Sequence, residues 1–151
     1  MEQAALTIVD DVDRKDVQFL DERLYEFNMK ASGHRDGREI GIFLRDDGGR
    51  IKAGLYGWTW GGTCFIDKLW IDESWRGHGL GTRLMHAAEA EARTRGAAQM
   101  VLGTHSFQAP EFYAKLGFER IAVIDEYPKG FQDIFMKKRL SPQNGGQEKA
   151  R

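Results

Sequence analysis

The stretch "WRGHGLGTRLM", Trp75 to Met85, places three glycines at alternate positions behind an arginine and then turns into a helical pattern. Glycines at that density weaken any strand or helix interior, so their use lies in a tight turn or in letting a ligand approach the main chain. Unpaired N–H groups at a helix start, with the positive end of its dipole, favour an anion, and a phosphate is the obvious candidate. Two familiar phosphate motifs fail on spacing. A P-loop needs Gly, four residues, then Gly-Lys-Ser/Thr, but Thr82 stands five positions after Gly77 and Leu84 five after Gly79. A dinucleotide fingerprint needs its third glycine one position after Gly81 and an acidic residue about 20 further on, where Ala97 stands. What the residues spell is Arg-x-x-Gly-x-Gly: Arg76, Gly79 and Gly81.

Other chemistries are poorly supplied. Cys64 is the single cysteine, which excludes an intramolecular disulfide and leaves no Cys/His spacing suited to zinc. It lies in an apolar run and reads as a buried thiol rather than a nucleophile. No Gly-x-Ser-x-Gly is present. Charge is nearly balanced, 22 Lys+Arg against 23 Asp+Glu, so nothing marks a nucleic-acid binder. No apolar stretch approaches the ~18 residues of a membrane span, and "MEQAALTIVDD" lacks the basic, then apolar, pattern of a signal peptide. The expected setting is cytoplasmic.

The elements that must position the glycine turn alternate along the chain. "ALTIV" at 5–9 suits a short strand, and Asp13 caps a helix whose Val17, Leu20, Leu24 and Phe27 fall at spacings of three and four, which predicts a core face. Ile40, Ile42 and Leu44 alternate as a strand, "DDGG" (46–49) is a hairpin turn, and a second strand runs over about 50–60. "WGG" turns into a third, "TCFIDKLWI", whose near-continuous apolarity predicts burial on both faces, and this strand leads into the glycines. Beyond them Leu80, Leu84, Ala88 and Ala92, backed by Met85, form a helical stripe with Gly96 past its end. "AAQMVLG" is a strand, "APEFYAKLG" a short helix stopped by Gly117, and two strands follow around 118–126 and 131–139. A single domain over 1–140 is expected, with 141–151 a polar, disordered tail.

Arg76, Gly79 and Gly81, entered from a strand and opening a helix, are one half of a resemblance. "APEFYAKLGF" (109–118) is the other, since it looks like a segment built around Phe/Leu-Tyr-x-Lys-x-Gly-Phe. In order and separation the two resemble the GNAT superfamily of N-acetyltransferases, with the likeness covering roughly residues 5–140 and strongest from 65 to 118. The resemblance implies an α/β fold of the GNAT acyl-CoA acyltransferase type: a mixed, mostly antiparallel twisted sheet of about seven strands flanked by helices.

It also implies roles for matching residues. Backbone groups of Leu69, Trp70 and Ile71 would hold the pantetheine arm of acetyl-coenzyme A. Arg76, Gly77, His78, Gly79, Leu80, Gly81 and Thr82 would take its pyrophosphate, Arg76 adding a charge-assisted contact. Tyr113 matches the tyrosine that protonates the departing thiolate, against a reading as core filling beside Phe112, Leu116 and Phe118. The position of the usual glutamate base is Phe65, which accepts no proton. Asp67, next on that face by strand alternation, is a candidate base, with Glu22 or Glu26 on the first helix and a water chain as rivals. Where an asparagine is common, this chain reads "GTHSFQAP", so Ser106 or Gln108 would supply a polar contact to the coenzyme and His105 would face the acceptor. Trp58, Trp60 and Trp70 serve either packing or an acceptor pocket.

The implied activity is transfer of an acetyl group from acetyl-CoA to a primary amine, on a small molecule or a peptide, without a metal. Glu22, Glu26 and Asp67 would suit a cationic acceptor. No nucleic-acid or membrane partner is expected, and a homodimer is allowed. The alternative is a non-catalytic acyl-CoA-binding sensor, which Phe65 keeps open.

Overall fold

The computed structural model describes residues 4–141. The chain forms two compact units, Met1–Arg35 and Asp36–Arg151. In the first, Asp13 takes extended backbone and its carboxylate accepts the Lys15 N–H at 2.9 Å, starting helix α1, Arg14–Ser32. Gly33, at φ 78°, closes it by donating its N–H to the Met29 carbonyl. Two expectations fail in this unit. Residues 5–9 form no strand, and Leu6 and Ile8 are almost wholly exposed. None of the residues of α1 is buried, and Leu20, Leu24 and Phe27 lie exposed. Periodicity identifies which face of a helix is apolar and β-propensity which segments suit a ladder; neither supplies the partner surface.

The second unit runs β1 (Arg38–Arg45), β2 (Ile51–Trp60), β3 (Thr63–Ile71), a single 3-10 turn (Glu73–Trp75), α2 (Leu80–Thr94), β4 (Gln99–His105), α3 (Pro110–Lys115), β5 (Glu119–Asp125) and β6 (Gln132–Arg139). Its sheet has six strands in the order β1-β2-β3-β4-β6-β5, against about seven expected; residues 5–9 form no strand. Every pairing is antiparallel except β3 with β4. That parallel pair needs a crossover, and α2 supplies it. The predicted stripe of α2 holds: Leu80, Leu84, Met85, Ala88 and Ala92 are buried, alongside Leu55, Cys64, Ile66, Met100, Leu102, Ile134 and Met136 from the strands. Residues 142–151 of the expected tail lie outside the described residues.

Two ties fix α2 in place. At its C-terminal end the Arg95 guanidinium donates to the carbonyls of Arg38 and Glu39, at 3.1 and 3.0 Å, and to the Thr59 hydroxyl at 3.2 Å. On its flank Glu89 accepts from Lys138 of β6 at 2.8 Å and from Arg93 at 2.7 Å. Burial pushes the Glu89 carboxyl up, but Lys138 and Arg93 together hold it below its usual range. The N-terminal end of α2 lies against β3, where Gly81 faces the Ile71 side chain.

β3 carries two irregularities. Tyr56 pairs Lys68 and Gly57 pairs Ile66, so Asp67 is an extra residue in a bulge. Pairing with β4 runs from Thr63↔Gln99 to Ile66↔Leu102 and ends there. Past that point β3 is laddered on its β2 side only.

Candidate active site

A cleft of about 1150 Å³ opens where the β3–β4 ladder ends, lined by residues 65–71 of β3, 102–105 of β4, the glycine turn, the start of α2, and Phe112 and Tyr113 of α3. Its floor follows from register. Strands that stop pairing leave N–H and C=O groups on the facing edges, and these demand partners from a ligand or water. Leu69, Trp70 and Ile71 line this opening.

The three glycines act in two ways. Gly77 and Gly79 have φ of 80° and 73°, a left-handed backbone with nothing within 4 Å of where a side chain would begin. Gly81 lies inside α2 at ordinary φ, and a β-carbon there would meet the Phe112 ring at 3.1 Å and Ile71 at 3.4 Å. Gly79 is the N-cap of α2 and supplies no side-chain hydrogen bond, so the first-turn N–H groups keep no capping partner. Arg76, Gly77, Gly79, Leu80, Gly81 and Thr82 all line the cleft. The Arg76 Nε donates to the Ile71 carbonyl at 3.1 Å, which holds the guanidinium to the end of β3 in the same cleft. An uncapped helix start, an arginine and open glycine backbone form an anion cradle. His78 does not line the cleft.

Ahead of the turn, Asp72 caps the 3-10 segment, accepting the Ser74 N–H at 3.0 Å and Lys52 at 3.1 Å as well as the Ser74 hydroxyl. These hydrogen bonds, the Ser74 hydroxyl's foremost, hold its carboxyl down to about 2.

Tyr113 lines the cleft and is only 8 % exposed, its ring edge-on to Phe112 and Phe118 at 5.1 and 5.9 Å. Burial pushes its hydroxyl up to about 12, so it is a proton donor throughout the neutral range. Cys64 is fully buried and its thiol is pushed up to about 11, which suits packing and not nucleophilic attack.

The polar candidates divide. Asp67 lines the cleft and is paired with Lys68. The bulge at Asp67 interrupts strand alternation, so the argument that set it on the face of Phe65 does not carry across. Phe65 also lines the cleft and stacks on Trp58 at 4.8 Å; of the three tryptophans expected either to pack or to line a pocket, only Trp70 borders this cleft. Gln108 lines it too, accepting the His105 N–H at 2.8 Å. Ser106 does not: its hydroxyl accepts the Gln132 N–H at 3.0 Å and its own N–H donates to the Gln132 carbonyl, ties that lock the end of β4 to β6. Glu22 and Glu26 belong to the first unit, where Glu22 accepts from Gln18 and Glu26 pairs with Arg23 and Lys30. His105 lines the cleft, and beside it stand Asp133 and Phe107, which sequence reasoning missed. Asp133 comes to His105 through the β4–β6 register, and no local pattern announces a partner so distant along the chain.

Several known proteins are similar to this chain. The model of the acetyltransferase (GNAT) family matches residues 6–118. An acetyltransferase of Agrobacterium fabrum is 30% identical over 117 residues, covering 78% of this chain and 85% of that one. Blasticidin-S acetyltransferase of Streptomyces morookaense is 40% identical over 96 residues, 61% of this chain and 68% of that one. Among solved structures, an acetyltransferase from Bacillus cereus superposes with a TM-score of 0.72 at 31% identity, covering 89% of this chain and 98% of its own.

Proposed function

The chain belongs to the acetyltransferase (GNAT) family, and from that premise we propose that it moves an acetyl group from acetyl-coenzyme A directly to a primary amine while both are bound. The observation that carries this reading is the meeting, in one cleft, of an uncapped α2 N-terminus, an unpaired strand edge and Tyr113. The pyrophosphate lies on the first-turn N–H groups of α2 beside Arg76, and the pantetheine amides take the open edge of Leu69, Trp70 and Ile71.

In the reaction the neutral amine nitrogen attacks the thioester carbonyl carbon, so that a C–N bond forms and the C–S bond breaks, its electron pair leaving on sulfur. A backbone N–H of the β3 edge stabilises the oxygen that becomes negative. The Tyr113 hydroxyl, held to about 12, is a weaker acid than an ordinary thiol. Its part is to donate a hydrogen bond to sulfur as charge builds, and the proton lost by the new amide nitrogen completes the free thiol. Because Cys64 is buried and protonated, an acyl-cysteine intermediate has no nucleophile to form on.

The acceptor is a cationic amine by the same reasoning, since the acids Asp67 and Asp133 line the cleft. The relative named for blasticidin-S supports a small-molecule acceptor over a peptide. Phe65, in the place of an acidic base, favours one other reading, a sensor that binds the coenzyme without turnover. A panel of small amines and peptides, each with acetyl-CoA and read by thiol release and product mass, tests both. Acetylated amine is the expected outcome; coenzyme binding with no thiol release against any amine establishes the sensor.

A further inference from the structure

We propose that His105 is the group that takes the proton from the incoming ammonium, with Asp133 and the Tyr127 carbonyl holding it in that role; this rests on the acetyltransferase reading above. Three neighbours fix the imidazole. Its Nδ1 lies 3.1 Å from the Tyr127 carbonyl oxygen. A carbonyl only accepts, so Nδ1 carries the hydrogen and Nε2 keeps its lone pair. Phe107 stacks on the ring at 5.3 Å and 5°, and Tyr127 meets it edge-on at 5.5 Å. Asp133 Oδ1 stands 3.8 Å from Nδ1, with its side chain 14 % exposed, where its charge favours the imidazolium once Nε2 is protonated.

The cleft offers no better acceptor. Phe65 has no basic atom, Asp67 is engaged by Lys68, and the phenol of Tyr113 is already protonated. Around the ring the titratable groups are Asp133 on β6 and the Tyr127 phenol in the β5–β6 connection; elsewhere the cleft holds Asp67, Lys68, Arg76 and Tyr113. The step balances: R–NH₃⁺ gives one proton to Nε2, the neutral amine attacks, and the imidazolium returns that proton to water after the thiol leaves. Asp133, 3.8 Å from Nδ1, acts on the proton transfer through the imidazole and is a positioning residue.

The experiment has two arms. Nitrogen-resolved spectra of the histidine side chains, with His105→Gln identifying the signal, report the tautomer without any substrate. The neutral Nδ1–H form is expected, and the Nε2–H form overturns the proposal whatever the enzyme acetylates. The second arm uses the amine found by thiol release. Parent kcat/KM should fall on the acid side as His105 protonates, and His105→Gln should lose about 10²-fold or more at neutral pH, recovering as free amine rises. Asp133→Asn should move the same acid limb to lower pH, because the imidazolium loses its counter-charge. Parent-like profiles in both variants overturn the proposal. Coenzyme affinity, measured separately, should be unchanged in His105→Gln. If the parent itself transfers to no amine, the acetyltransferase reading fails and this assignment falls with it, whereas parent turnover with a flat response to His105→Gln sinks the assignment alone.

Discussion

Tyr113 answers to two demands, because its ring packs between Phe112 and Phe118 while the residue also borders the cleft. Replacing it with phenylalanine keeps the ring and removes the hydroxyl, which separates the two. A hydrogen bond to a charged group contributes about 1.5–3 kcal/mol. Tyr113→Phe is therefore expected to lower kcat roughly 10- to 100-fold while the melting temperature and coenzyme affinity stay near those of the parent. Steady-state kinetics and a melting curve on the one variant check it, and unchanged turnover with intact binding removes the hydroxyl from the reaction. At this scale the sequence was informative where a residue's type dictates its backbone. Gly77 and Gly79 were legible as turn residues and have positive φ, whereas Gly81 looked alike and owes its place to the Phe112 ring. His78 sat inside the motif and does not line the cleft, because a motif records spacing along the chain and not which way a side chain leaves it.

Among the elements, β3 has the most to do with the opening of the cleft, and its bulge depends on a residue of the neighbouring strand. A β-carbon on Gly57 would lie 2.1 Å from the Phe65 carbonyl oxygen and 3.1 Å from the Ile66 Cα. Both are backbone atoms, so no flexible side chain can yield. Gly57→Ala is expected to destabilise the protein by about 1–3 kcal/mol or more and to weaken coenzyme binding in whatever folds, since relief of the clash must move the strand next to Leu69 and Ile71. Thermal denaturation and calorimetry measure the two, and a variant that melts with the parent would show that the close approach is not needed. Strand and helix positions were readable from alternation and from the Leu80, Leu84, Ala88 stripe, all of it buried. The bulge was not, because alternation assumes an unbroken ladder and Asp67 falls where it breaks. Residues 5–9 show the opposite error, a strand-like composition with no ladder to join.

For the molecule as a whole, a ligand seated in the cleft links α2, β3, β4 and α3, elements that share a single core in the Asp36–Arg151 unit. Anything that binds the folded state and not the unfolded chain stabilises it by mass action, about 2.7 kcal/mol at 100 times the dissociation constant. For a chain of this size that corresponds to a rise in melting temperature on the order of 10 °C. Coenzyme A alone should produce it, because the anion cradle and the strand edge require no acetyl group. The arginine decides how much of the rise comes from charge. Arg76 is tied to Ile71 through Nε and lines the same cleft as the uncapped start of α2, so Arg76→Glu replaces attraction for a diphosphate with repulsion in that cleft. The unliganded variant is expected to melt near the parent, and at the same coenzyme concentration to gain less than half the parent's rise. Tyr113→Phe, which leaves the cradle alone, should keep the full rise. Scanning parent and both variants with and without coenzyme A checks all of this in one set of melts. A parent indifferent to coenzyme A would remove the cleft as its binding site, and an Arg76→Glu variant stabilised as fully as the parent would move the diphosphate away from the glycine turn.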